Sequence, residues 1–142
     1  MASLQNIRKA IARVLENNID FDVFCYENVA DMHHFPAIII EPDKADYVFN
    51  RGAMVTWRIN LFVVESRADV ESAQSRIDEL IDSAGDNSII EILLNNAELG
   101  FTDGTDVTPI YMKGYGGNFK DSGVPHVGAV LQIEVITDAR VR

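Results

Sequence analysis

The sequence predicts an α+β fold. It reads as a single domain with a mixed, mostly antiparallel β-sheet, about three helices packed on one face and a projecting β-hairpin. Three observations lead there. Apolar residues recur at helical spacing in three segments. Apolar runs of strand length, alternating or continuous, lie between and after them. The resulting order is α-β-β-β-α-α-β-β. At 142 residues the chain fits one domain over 1–142 with one hydrophobic core.

The first helix is expected over residues 3–18. Leu4, Ile7, Ile11, Val14 and Leu15 form its buried face, Ser3 is its N-cap, and Asn17-Asn18 ends it. A short strand follows from Phe21 to Tyr26, then a polar connection from Glu27 to His34. The run Ala37-Ile38-Ile39-Ile40 reads as a strand buried on both faces, with Pro36 and Pro42 marking its ends. A hairpin comes next. One arm is Asp46–Phe49, the turn is Asn50-Arg51-Gly52, and the other arm is Met54–Glu65. The returning arm places Val55, Trp57, Ile59, Leu61 and Val63 on one face. Thr56, Arg58, Asn60, Phe62 and Val64 share the other, which starts polar and ends apolar. Its first half is expected to project and its second half to be buried on both sides.

A second helix is expected from about Ala68 to Ser83, with Val70, Ala73, Ile77, Leu80 and Ile81 as its stripe and Gly85 at its C-terminal end. A third starts at Ser88, which has capping-box spacing to Glu91, and Gly100 ends it. Val107–Lys113 and Gly128–Thr137 read as strands. Between them Gly114 to Gly123 holds four glycines in ten residues, the signature of a loop.

Bulk properties narrow the function. Net charge is −10, which argues against sequence-specific nucleic-acid binding, although an acidic surface lets DNA pass without sticking. No apolar run reaches the ~20 residues of a bilayer span. The Met1-Ala2-Ser3-Leu4-Gln5 start lacks signal-peptide features, so the expectation is synthesis in the cytosol. The one cysteine, Cys25, sits in an apolar segment and reads as a small buried hydrophobe.

Chemistry is sparse. His33-His34, with Glu27 and Asp31 nearby, lacks the spacing of a metal site. Asp103-Gly104-Thr105-Asp106 lacks the remaining ligands of a calcium loop. Gly114-Tyr115-Gly116-Gly117 lacks the Lys-Ser/Thr and helix of a phosphate cradle. The expectation is therefore no catalytic, cofactor-binding or metal residue, and no enzyme. Aromatic and Met residues outside the helical faces say more, because such side chains favour protein interfaces. Tyr47, Phe49, Arg51, Met54 and Trp57 on or beside the hairpin, and Tyr115 and Phe119 in the glycine-rich segment, are the expected contact residues.

Taken in order, several of these features resemble the tail terminator proteins of phages with long, non-contractile tails. They are the Ile7-Arg8-Lys9-Ala10 helix, Pro36-Ala37 through Glu41-Pro42, the aromatic hairpin leading to Trp57, and Arg67-Ala68-Asp69. Gly85, the Ser88 helix, Leu99-Gly100 and a terminal alternating strand complete the series. The resemblance implies a homo-hexameric ring that caps the tail tube, stops its polymerisation and docks the head connector. It implies contacts with itself, the tail tube protein and the connector protein, with genomic DNA passing through the lumen and no membrane. The implied location is the head-proximal end of the virion tail, after assembly in the host cytoplasm. Rival readings are another head–tail joining protein, a cytosolic ligand-binding α+β domain, and an enzyme with an unrecognised site.

Overall fold

Ser3 caps the first helix as its residue type predicts: the Asn6 backbone N–H donates to Ser3 Oγ at 3.2 Å. A computed structural model describes residues 3–26, 36–48, 54–66, 70–101, 104–119 and 126–138. The element order is α1 (Leu4–Asn18), β1 (Phe24–Tyr26), β2 (Ala37–Val48), β3 (Met54–Ser66), α2 (Val70–Ile81), α3 (Ile89–Asn95), β4 (Asp106–Phe119) and β5 (His126–Asp138). This is the α+β order read from the sequence. The five strands form one mixed sheet in the order β1-β2-β3-β5-β4. Only β1–β2 is parallel; the other pairs are antiparallel.

The helices cover one face of the sheet. Ile7, Ile11 and Leu15 of α1, Ile77 and Leu80 of α2, and Ile89 and Leu93 of α3 share one core with the strands. The strand side of that core includes Ile38, Ile40, Ile59, Leu61, Val63, Leu131 and Ile133. Each such side chain contributes about 1.5–3 kcal/mol by leaving water. Arg8 fixes α1 on β2, because its Nε and Nη2 donate to the Ile40 carbonyl at 3.1 and 2.8 Å. The opposite face holds a small second cluster, Ala37, Ile39 and Val64, flanked by Tyr26 and Phe62. The second half of β3 is thus packed on both faces, as its pattern implies.

Several boundaries differ from expectation: β1 begins at Phe24 and not Phe21, and α3 ends at Asn95, before Gly100. Pro42 does not end its strand. β2 continues to Val48, with a register shift between Pro42 and Lys44. β1 pairs only as far as Ile39, so Pro42 lies where β2 has an open edge and its missing N–H costs no ladder bond. The arm expected from Asp46 is therefore the end of the buried strand, and the turn residues 50–52 lie outside the described residues. α2 ends at Ile81, and Gly85, at φ 129°, shapes the turn leading to α3. Lastly, Gly114–Phe119 belongs to β4 and not to a loop. Glycines sit at its register shifts, where an edge strand tolerates them, and Gly116 pairs with Gly128.

Ser88 caps α3 and accepts from the Glu91 N–H at 3.2 Å. The reciprocal half of the box differs, since Glu91 Oε2 accepts from Gly85 N–H instead of Ser88 N–H. Ser88 Oγ also donates to the Asp82 carbonyl. Fully buried, Ser88 thus joins the end of α2 to the start of α3. Ser88→Ala should cost about 1–2 kcal/mol, read as a shift in the urea midpoint without a change in slope.

Candidate functional site

The hairpin arms bring Tyr47 and Trp57 together, whereas Met54 falls on the opposite face of the sheet. In the β2–β3 register Tyr47 faces Val55 and Ala45 faces Trp57, so Tyr47 and Trp57 are diagonal neighbours on one face. Their rings meet edge to face at 5.9 Å between centroids. Tyr47 is 59% exposed, and Met54 is exposed on the other face. Trp57 packs partly against the main core, so it anchors the arm as well as facing outward. Among the described residues its indole Nε1 is buried with no hydrogen-bond partner, and so is Nε of the next residue, Arg58. A buried N–H without an acceptor costs about 1–3 kcal/mol.

Phe49 and Arg51 lie outside the described residues. Phe119 is placed by its backbone alone, paired with His126 at the end of β4. Tyr115 is not in a loop. Opposite Ala129, it sits on the helix-covered face, and its hydroxyl donates to Asp78 Oδ1 of α2 at 2.8 Å. The expected contact residues therefore form two groups: Tyr47, Met54 and Trp57 on the β2–β3 arms, and Tyr115 on the opposite edge strand.

Two features escape a reading of the sequence. The first is an apolar groove between α3 and β4, lined by Ile89, Ile90, Leu93, Pro109, Ile110 and Met112, with a volume of about 150 Å³. Its rim residues Ile110 and Met112 are exposed, as are Tyr111 and Leu94 nearby. The apolar run Pro109–Met112 was its only visible sign. The second is a polar network on the face that bears no described helix. Gln132 Nε2 donates to Asp43 Oδ2 and to Asn60 Oδ1, each at 3.1 Å, and Lys113 Nζ lies 3.7 Å from Asp43 Oδ2. Gln132 is only 2% exposed.

Cys25 is embedded as its segment implies. Its Sγ donates to the Ala12 carbonyl at 3.9 Å and its N–H to Glu16 Oε1 at 3.3 Å. Burial pushes the thiol pKa well up, and the Glu16 carboxylate adds to the effect. A thiol held in its neutral form is a poor nucleophile. The Tyr115 phenol is raised too, chiefly by its bond to Asp78. Both groups hold their protons more tightly folded than unfolded. Their contribution is complete below the unfolded values, about 9 and 10, and is lost as pH rises through the folded values. The urea midpoint should therefore fall between about pH 8 and pH 10.5. Cys25→Ser and Tyr115→Phe should each flatten that fall, and an unchanged slope in both would contradict the assignment.

Among the described residues no group of three or more His, Cys, Asp and Glu could hold a metal ion. His33, His34, Glu27, Asp31 and Asp103 lie outside them. No described helix is long and apolar enough to cross a membrane. The sequence matches no protein-family model and no curated protein.

Proposed function

We propose that this chain is a structural assembly protein, a phage tail terminator whose ring closes the tail tube and receives the head connector. One observation carries the reading. The β2–β3 arms leave Tyr47 exposed on one face and Met54 on the other, and the Trp57 indole N–H between them is buried with no partner among the described residues. Such an arrangement suits a surface completed by another protein chain. The resemblance in the order of sequence features points the same way.

The mechanism is geometric. A ring that fits the tube on one side and presents no tube-like surface on the other ends polymerisation. The net charge of −10 per copy suits a lumen through which DNA slides without adhering. Electron microscopy of lysates from a phage carrying a nonsense codon in this gene tests the proposal. Overlong or ragged headless tubes beside filled heads are expected. Normal-length tails that fail to join heads would assign the chain to another joining role, and intact infectious particles would overturn the reading.

A further inference from the structure

An exposed strand edge invites another strand, because it presents unpaired N–H and C=O groups. Three such edges occur among the described residues, and two are poorly suited to pairing. β1 is three residues long, and its Cys25 N–H is already donated to Glu16 Oε1. β4 contains Pro109 and three register shifts. The third edge is the outer side of β2 beyond its pairing with β1. Arg8 occupies the Ile40 carbonyl there and Pro42 has no N–H to offer, but from Lys44 to Val48 the register against β3 is unbroken. Asp43, Lys44, Asp46 and Tyr47 along it are all exposed.

The charges on this stretch are complementary to themselves. In the β2–β3 register Lys44 lies opposite Arg58 and Asp46 opposite Thr56, so both share the face without a described helix. Lys44 thus has a like charge beside it, and among the described residues neither Lys44 nor Asp46 has an ion-pair partner. A second copy laid antiparallel, with Ala45 opposite Ala45, sets each Lys44 opposite the other copy's Asp46. Moving the centre to Lys44 or to Asp46 puts like charges together, and a parallel pair in register does so at both positions. The other acids of the strand are accounted for. Asp43 is held by Gln132 and Lys113 of its own chain, and Glu41 lies beyond the register shift.

The other face of such a pair fits as well. Ala45 faces Trp57 and Tyr47 faces Val55, so both lie on the helix-covered face. At the axis two alanine side chains meet and leave room. Tyr47, exposed in the single chain, becomes the diagonal neighbour of the second copy's Ala45, within reach of an aromatic ring.

We infer that the β2 edge around Ala45 pairs antiparallel with the same edge of a second copy, about a two-fold axis at Ala45, so that one sheet runs through both copies. The contact is isologous and generates no ring by itself, so it goes beyond the terminator reading and does not rest on it. It should weaken as salt rises, since part of it is charge.

Charge exchange tests it. Lys44→Asp and Asp46→Lys proteins are compared with the unmodified chain by sedimentation equilibrium at about 0.05 M salt, each alone, as a mixture, and with both changes in one chain. Both positions are exposed, so folding should survive, and melting curves check this. The unmodified chain should dimerise, and each single change should raise the dimer dissociation constant roughly tenfold or more. The mixture and the double variant set opposite charges across the axis again and should recover the dimer. In a Cys25→Ala background, oxidised Ala45→Cys protein should form covalent dimers by itself, and faster than Tyr47→Cys protein, whose two copies lie off the axis. An unmodified chain monomeric at every concentration, or a dimer indifferent to both charge changes, would overturn the inference. Rings without this contact would overturn it too and leave the terminator reading standing, which the nonsense-codon experiment judges independently.

Discussion

Leu61→Ala should destabilise the protein by about 3–4 kcal/mol, the largest single effect expected here. Leu61 is fully buried in β3, the middle strand, where it faces Ile40 on one side and Leu131 on the other. Its side chain belongs to the core shared by the sheet and all three helices. Removing it forfeits transfer energy and leaves a cavity that paired strands on both flanks prevent from collapsing. Urea unfolding should show a lower midpoint at unchanged slope. A loss below about 1 kcal/mol would mean that the helix layer can move to fill the space.

Gln132→Ala should cost about 2–3 kcal/mol, the second-largest effect, although it removes a polar group from a face without described helices. The Gln132 amide spends both hydrogens, one on Asp43 and one on Asn60. Alanine would leave Asn60, itself buried, short of a donor, and would take one donor from Asp43, which is exposed beside Lys113. An unmet buried acceptor such as Asn60 Oδ1 costs more than the net value of the bond lost. The companion change Asp43→Asn keeps a polar partner and should cost less than half as much. Equal losses in the two variants would show that the carboxylate charge, and not the amide bridge, matters.

Much of the fold is legible in the sequence because the signals are local. Ser3 and the spacing of Ile7, Ile11 and Leu15 specify α1. The alternation from Val55 to Val64 specifies β3 and its two faces. Failures arise where a local sign has two physical meanings. A proline marks the end of a strand, but Pro42 is also tolerated on an open edge. Clustered glycines mark a loop, but Gly114 and Gly116 serve an irregular edge strand instead. The candidate site is less legible than the fold. Tyr47 and Trp57 can be paired from hairpin register alone. The groove needs α3 laid beside β4, and the bridge from Gln132 to Asp43 spans 89 residues. No periodicity within either segment encodes those meetings.

The seam between β3 and β5 has a kinetic consequence. β2–β3 and β4–β5 are each neighbours in sequence, so their pairing closes short loops and can form within microseconds. β3 and β5, by contrast, are separated by two helices and a further strand, yet they pair along their whole length. The chain must therefore pay much of its long-range closure entropy at that junction before the central pairing stabilises it. With two hairpins to be joined, the docking of β3 on β5 is the step we expect to set the folding rate. Changes in the middle of that junction, such as Ile59→Val, should slow folding more than they speed unfolding.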